Sequence, residues 1–259
     1  AWLKAHHYQA YMAACMDQDA NSTGRLEIDV AEIRRLGVPI TPADVNLSGE
    51  LFDITLETNG EANSIVYALS GIKGVGHDVA RAIRLEREAN GPFFDFVEFR
   101  KRMSAVVKKH TMELLIRAGA FDTLDATIPP ETSRQLYLTE LESGDAPSGP
   151  QLFAASPHVR GITPLTRAEM AAMEASAYGF SLTRHPTDQF AHLVDNVRVH
   201  TLAAAGKASK TVSTEALAVF AQIEEQDSRI AVVLDDGQTT LRAVMKGGLL
   251  PPPPTRDGP

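Results

Sequence analysis

Leu69-Ser70-Gly71-Ile72-Lys73-Gly74-Val75-Gly76-His77-Asp78-Val79-Ala80-Arg81-Ala82-Ile83 is the stretch whose reading decides how this chain is organised. It joins a Gly-apolar-Gly turn, Gly74-Val75-Gly76, to a segment with Val79, Ala80 and Ile83 at helical spacing. Glycine lets the chain turn tightly and brings backbone N–H groups near an anion with no Cβ in the way. The helix that follows would add its unpaired first N–H groups and the positive end of its dipole. Ile72 and Val75 are expected to anchor the turn in the core, while Lys73 projects a charge beside it. A phosphate gripped by Gly71, Lys73, Gly74, Val75, Gly76 and His77 would be held by backbone and charge alone, a contact blind to base sequence.

These features fit a DNA-binding helix-hairpin-helix element over residues 69–84. Two other readings stand beside it. The apolar run Ile65–Leu69, the glycine loop and a helix also resemble a dinucleotide-binding turn, with Asp95 some way on. That would make the chain a nucleotide-cofactor enzyme using the Gly71–Gly76 loop. The glycines fall as G-x-x-G-x-G rather than G-x-G-x-x-G, however, and no repeated βαβ pattern surrounds them. The third reading is a protein-interaction scaffold whose glycines serve only the turn.

Charge sharpens the first reading. The 259 residues carry a net charge of −8, which argues against a protein that coats nucleic acid by bulk electrostatics. Residues 69–118 nevertheless hold ten Lys/Arg against six Asp/Glu. A basic island on an acidic chain suits a discrete phosphate contact. Lys101-Arg102 and Lys108-Lys109-His110 lie inside this island and read either as a solvated helical face or as auxiliary phosphate contacts, with Lys108 and Lys109 the chosen candidates. The single cysteine, Cys15, excludes an intrachain disulfide and suits a reducing cytoplasm. His6-His7 with Cys15 lacks zinc-ligand spacing, so no metal site is expected. No apolar run is long enough for a membrane helix, and the start at Ala1 without Met reads as an excised fragment.

Pattern divides the chain as follows. Residues 1–64 read as helical, with helices over 1–19 and 25–36 ending at Gly37, then extended Val38–Pro42 and a short strand Phe52–Leu56. Residues 65–124 hold the hairpin and further helices, one starting near Val107 and ending at Gly119. Residues 125–164, rich in Pro, Ser, Gly and Asp, read as an exposed linker with a possible helix at 131–142. Residues 165–196 are a helical connector in which Thr166 and Glu169 make a capping box. Strand patterning fills 197–250, with Val197–Leu202, Ala216–Glu224, Ile230–Leu234 and Thr240–Met245, and Asp235-Asp236-Gly237 as a turn rather than a metal pair. Residues 251–259 read as a disordered tail. The expected class is mainly α with a helix-hairpin-helix domain, followed by a small β-rich domain.

Five blocks in order carry a resemblance. Ala1-Trp2-Leu3-Lys4-Ala5-His6-His7 with Tyr11-Met12-Ala13-Ala14 is the first; Arg34-Arg35-Leu36-Gly37-Val38 with Pro42-Ala43-Asp44-Val45-Asn46-Leu47-Ser48-Gly49 is the second. Ala68–Gly76, Ile116-Arg117-Ala118-Gly119-Ala120-Phe121-Asp122 and Gly179-Phe180-Ser181-Leu182-Thr183-Arg184-His185-Pro186 complete the set. Together they resemble the C-terminal portion of the bacterial DNA polymerase III alpha subunit, a family C DNA polymerase. The resemblance implies the end of the fingers at 1–64, a duplex-binding helix-hairpin-helix domain, a sliding-clamp motif in the linker and an OB-fold for single-stranded DNA from 197. It also implies that the palm aspartates and their Mg2+ lie upstream of Ala1, so the chain would need no cofactor of its own, would be inactive alone and would add processivity rather than chemistry.

The clamp motif departs from the family pattern. Gly149-Pro150-Gln151-Leu152-Phe153 keeps the apolar anchor but places Gly149 where the family has Gln. Gln151, Leu152 and Phe153 are the expected clamp contacts, and two apolar residues in a polar linker call for a partner or a fold-back. The Leu-Phe-Ala-Ala run is also similar to the error-prone branch of the family.

Overall fold

The computed structural model describes residues 2–57, 60, 62–143, 162–183, 219–226, 229–235 and 240–246. The chain forms two compact units, Ala1–Arg184 and His185–Pro259.

In the first unit the expected helix over 1–19 is two: α1 (Trp2–His6) and α2 (Tyr8–Asp19). His7 leaves helical geometry at φ −138°, ψ 57°, yet its N–H still donates to Leu3 and its carbonyl accepts from Tyr11, so the break is a local kink. The Trp2 ring stacks on His6 with centroids 4.6 Å apart, so this histidine serves aromatic packing. α3 (Thr23–Arg35) buries Leu26, Val30 and Ile33, spaced four and three residues apart on one face. Gly37 closes it with φ +72°.

A small mixed sheet follows. β2 (Asp53–Leu56) and β3 (Ala62–Val66) pair antiparallel, and β1 (Ile40–Thr41) pairs parallel with β3, in the order β1-β3-β2. β3 is central and carries the buried Ser64, Ile65 and Val66. The Ser64 hydroxyl meets Thr41 Oγ1 at 2.9 Å and Thr55 Oγ1 at 2.7 Å, which satisfies it inside the sheet.

β3 runs into a 3-10 turn (Leu69–Gly71), then α4 (His77–Asn90), α5 (Phe96–Met103) and α6 (Lys109–Ala118). Phe93, Phe96, Phe99 and Phe121 form an aromatic cluster beneath these helices. Fully burying each phenylalanine contributes about 2–3 kcal/mol as an upper bound.

α7 (Pro130–Ser143) forms where the sequence offers a possible helix at 131–142. Its Tyr137 stacks on Phe96 at 4.3 Å, and Leu136 and Leu141 are buried. Arg134 is also buried, donating to both carboxylate oxygens of Asp122 and to the Arg117 carbonyl. The few apolar residues of this polar stretch complete the aromatic cluster.

α8 (Arg167–Tyr178) starts on the expected capping box. Thr166 accepts from the Glu169 N–H, and the Glu169 carboxylate accepts from the Thr166 N–H at 2.7 Å. Buried Tyr178 ties α8 to its surroundings: its hydroxyl donates to the Ala118 carbonyl at 3.0 Å and accepts from the Ala43 N–H at 3.3 Å.

The second unit contains β4 (Val219–Gln226), β5 (Arg229–Asp235) and β6 (Thr240–Lys246), an antiparallel meander in that order with a register shift between Phe220 and Gln222. An OB-fold is a five-stranded barrel. The described strands give a three-stranded sheet, the coarser part of that expectation. The expected strand Val197–Leu202, the Asp236-Gly237 turn residues, the clamp residues Gln151, Leu152 and Phe153, and the tail 251–259 lie outside the described residues. Among the described residues no helix is long and apolar enough to cross a membrane.

Candidate nucleic-acid interface

The hairpin is set by what surrounds three glycines, each doing a different job. Gly71 is buried, and a Cβ there would lie 2.6 Å from Tyr67 Cε1 and 3.0 Å from Phe52 Cζ, so this glycine admits close packing from below. Gly74 takes φ +83°, the left-handed turn that L side chains rarely adopt, and its Cβ would meet Leu114 Cδ1 of α6 at 2.7 Å. Gly76 is extended at φ −74°, ψ 154°, and a Cβ there would meet nothing within 4 Å. Its conformation suits any residue; what it supplies is an unobstructed approach.

Ile72 and Val75 are 1% and 4% exposed and pin the turn to the core, as their pattern predicts. Lys73, between them, is exposed, and its N–H donates to the Ala177 carbonyl at 2.8 Å. His77, also exposed, opens α4. Gly76, as the residue before α4, has no side chain to cap the helix, so the first N–H groups have no side-chain acceptor from it. Asp78 in the first turn is the one acidic residue there.

α6 repeats the arrangement without glycine. The turn between α5 and α6 is closed by the N–H groups of Val106 and Val107, which both donate to the Met103 carbonyl at 3.0 and 2.8 Å. Val107 is 3% exposed, the counterpart of Val75. Lys108 then stands at the N-cap, with no side-chain cap bond, and Lys109 opens the helix; both are exposed, and the first turn holds no acid. Leu114, which lies against Gly74, is on α6 some 8 Å along its axis from Lys109. The second hairpin went unread as a hairpin because its turn, Ser104-Ala105-Val106-Val107, has no glycine. The visible signal was only the lysine pair.

The basic island divides by use. Arg84 forms a bidentate pair with Glu50 at 2.8 and 3.0 Å and also reaches Glu88. Arg87 donates to the Val45, Leu47 and Ser48 carbonyls. Arg102 binds Glu86, Glu98 and the Gly91 carbonyl, and lies 4.3 Å over the Phe93 ring. These three arginines hold the fold. Lys73, Arg81, Lys101, Lys108 and Lys109 stay exposed; of the Lys101-Arg102 pair only Lys101 is open, and Arg81 joins the candidates on that ground.

Among the described residues no group of three or more His, Cys, Asp or Glu is placed to hold a metal ion. What the site offers is open backbone donors and positive charge, an arrangement suited to binding an anion.

Comparison with known proteins agrees with this geometry. The profile of a helix-hairpin-helix motif matches residues 37–128, spanning the sheet, both hairpins and the start of the segment before α7. The DNA polymerase III alpha subunit of Thermus aquaticus is 32% identical over 195 residues, 72% of this chain and 15% of its own length. The alpha subunit of Caulobacter vibrioides is 30% identical over 215 residues, 79% of this chain and 18% of its own. That of Treponema pallidum is 38% identical over 128 residues, 49% of this chain and 10% of its own. The chain thus spans under a fifth of the length of these relatives. With its order of sequence blocks and its helix-hairpin-helix motif, the chain is a relative of the bacterial DNA polymerase III alpha subunits, corresponding to a portion of them.

Proposed function

We propose that this chain grips duplex DNA by its phosphates, without reading base sequence, in a replicative DNA polymerase. The observation that carries this is the pair of open helix starts. α4 and α6 each begin beyond a buried valine with no side-chain cap, flanked by exposed Lys73, His77, Lys108 and Lys109. Backbone N–H groups at a helix start hold a phosphate oxygen, and the lysines add a salt-sensitive attraction. Gly71 and Val75 act from the core as supports; Gly74 and Gly76 shape the approach. The cofactor alternative fits less well, because the glycine loop follows β3 in a three-stranded sheet whose main pairing, with β2, is antiparallel.

The role is processivity. Catalysis belongs to palm aspartates and Mg2+ in the parent polymerase, outside this chain. Gln151, Leu152 and Phe153 are assigned to the sliding clamp, and the β4–β6 unit to single-stranded DNA, both on the family resemblance and the apolar pair in a polar segment. The whole acts in the cytoplasm, where such polymerases work.

The test is binding of the chain to a fluorescent primed duplex across a salt series. The expected result is an affinity that falls steeply with salt, with a slope that drops by about one for each of Lys73→Ala and Lys108→Ala. Binding that survives both variants unchanged would move the site away from the hairpins. Absence of salt-dependent binding would leave the scaffold reading.

A further inference from the structure

α8 lies outside the stretch that matches the helix-hairpin-helix motif, yet it makes two contacts with the hairpin lysine. The first is through the backbone: Lys73 N–H donates to the Ala177 carbonyl at 2.8 Å, in the last turn of α8. The second is through space that Gly179 leaves empty. Gly179 is the left-handed C-cap of α8 at φ +90°, and a Cβ there would collide with Lys73 Nζ and Cε and with Thr23 Cγ2. The Lys73 stem therefore crosses the bare face of Gly179. Its ammonium rests beside the end of α8, where the dipole is negative.

We infer that Gly179 is a positioning residue for Lys73, and that α8 holds this lysine ready for a DNA phosphate. The inference rests on the phosphate-grip reading of the hairpin. A lysine stem is rich in rotamers, and a contact that must freeze it is weakened accordingly. α8 removes part of that cost beforehand, by fixing the Lys73 backbone and giving its stem one track. α8 can do so because it is itself held, by its capping box at one end and at the other by Tyr178, which is 1% exposed and bonded on both sides. Lys73 remains exposed while so held, and thus available.

The experiment compares primed-duplex binding across a salt series for the whole chain, Lys73→Ala, Gly179→Asn and the double variant. Asparagine tolerates the left-handed conformation, so the change mainly introduces the Cβ. Gly37→Asn is the control, because φ there is +72° and a Cβ would meet nothing within 4 Å. Expected are a loss of about five- to tenfold for Lys73→Ala, a similar loss for Gly179→Asn, no further loss in the double variant, and a salt slope lower by about one in all three. Gly37→Asn keeps the full affinity. Should Gly179→Asn be too unstable to assay, Thr23→Ala/Gly179→Asn removes the methyl that the new Cβ also meets and carries the same comparison. Wild-type affinity and slope in the Gly179 variants, with Lys73→Ala impaired, overturn the positioning role and leave the phosphate grip standing. Additive losses in the double variant also overturn it. No loss in Lys73→Ala overturns the role of Lys73 in both.

Discussion

Two pairs of helix starts in the first unit are built from the same backbone donors and finished differently. α5 is capped by Asp95, whose carboxylate accepts from the Glu98 N–H at 2.7 Å, and α8 by the reciprocal Thr166–Glu169 box. α4 and α6 begin at Gly76 and Lys108 with no side-chain bond to their first N–H groups. α3 also begins uncapped, at Ser22, so a missing cap alone marks nothing. What sets α4 and α6 apart is a buried valine just before the start, Val75 or Val107, and exposed cations around it. A helix start closed by its own side chain has one first-turn donor already taken and an acceptor standing where a ligand would sit. One left open, on a turn pinned to the core, holds its donors still and in solvent.

The largest expected effect separates the glycines of the first turn. Gly74→Ala forces a side chain into left-handed geometry and toward Leu114, and should cost about 2–3 kcal/mol in urea unfolding, with DNA affinity falling alongside. Gly76→Ala should stay within about 0.5 kcal/mol of the parent, since nothing lies within 4 Å of the new Cβ. If its DNA affinity drops while stability holds, a phosphate approaches that face closely. Equal stability losses for the two would contradict the division of labour between these glycines.

The next experiment turns an open start into a closed one. Gly76 already has the extended geometry of an N-cap. Gly76→Asp should let the new carboxylate accept from the Val79 N–H and place a negative charge where the phosphate would sit. DNA affinity should fall about tenfold or more, with melting temperature unchanged or slightly raised. Retained affinity would mean that the α4 start is not a phosphate site. In the opposite direction, Asp95→Ala opens a closed start. It should cost about 1 kcal/mol of stability in urea unfolding and leave DNA affinity untouched. A parallel loss of affinity would show that the capped helices share the interface.

This contrast was only half legible in the sequence. The Thr166–Glu169 box, the glycine ends at Gly37 and Gly119 and the first turn are local patterns, and local chemistry decides them. The second turn has the same architecture but is closed by valine N–H groups bonded to Met103, which carries no residue signature. α7 reads in the sequence only as a possible helix because its stretch is polar on average, and only the aromatic cluster shows why Tyr137 is there. The charge count marks a basic island but does not say which of its cations are free. Glu50, the bidentate partner of Arg84, and the carbonyls that hold Arg87 lie 34 to 42 residues away, and composition cannot pair them.

That sorting of arginines supports the smallest prediction, which tests whether Arg84 belongs to the fold or to the interface. The bidentate bond from Arg84 draws the Glu50 carboxyl down from its ordinary 4.5 to about 2. A depressed carboxylate stabilises the folded chain above its unfolded value and loses that contribution as the pH falls. The loss should therefore run from about pH 5 down to about pH 2, and urea midpoints measured over this window should fall more steeply for the parent than for Glu50→Gln. Because Glu50 is partly exposed and Arg84 also reaches Glu88, the difference should amount to only a few tenths of a kcal/mol. Coincident curves would mean that Arg84 gains nothing from Glu50. Only Glu88 would then hold it, and the first hairpin with α4 would have Arg84 to add to the exposed Lys73 and Arg81.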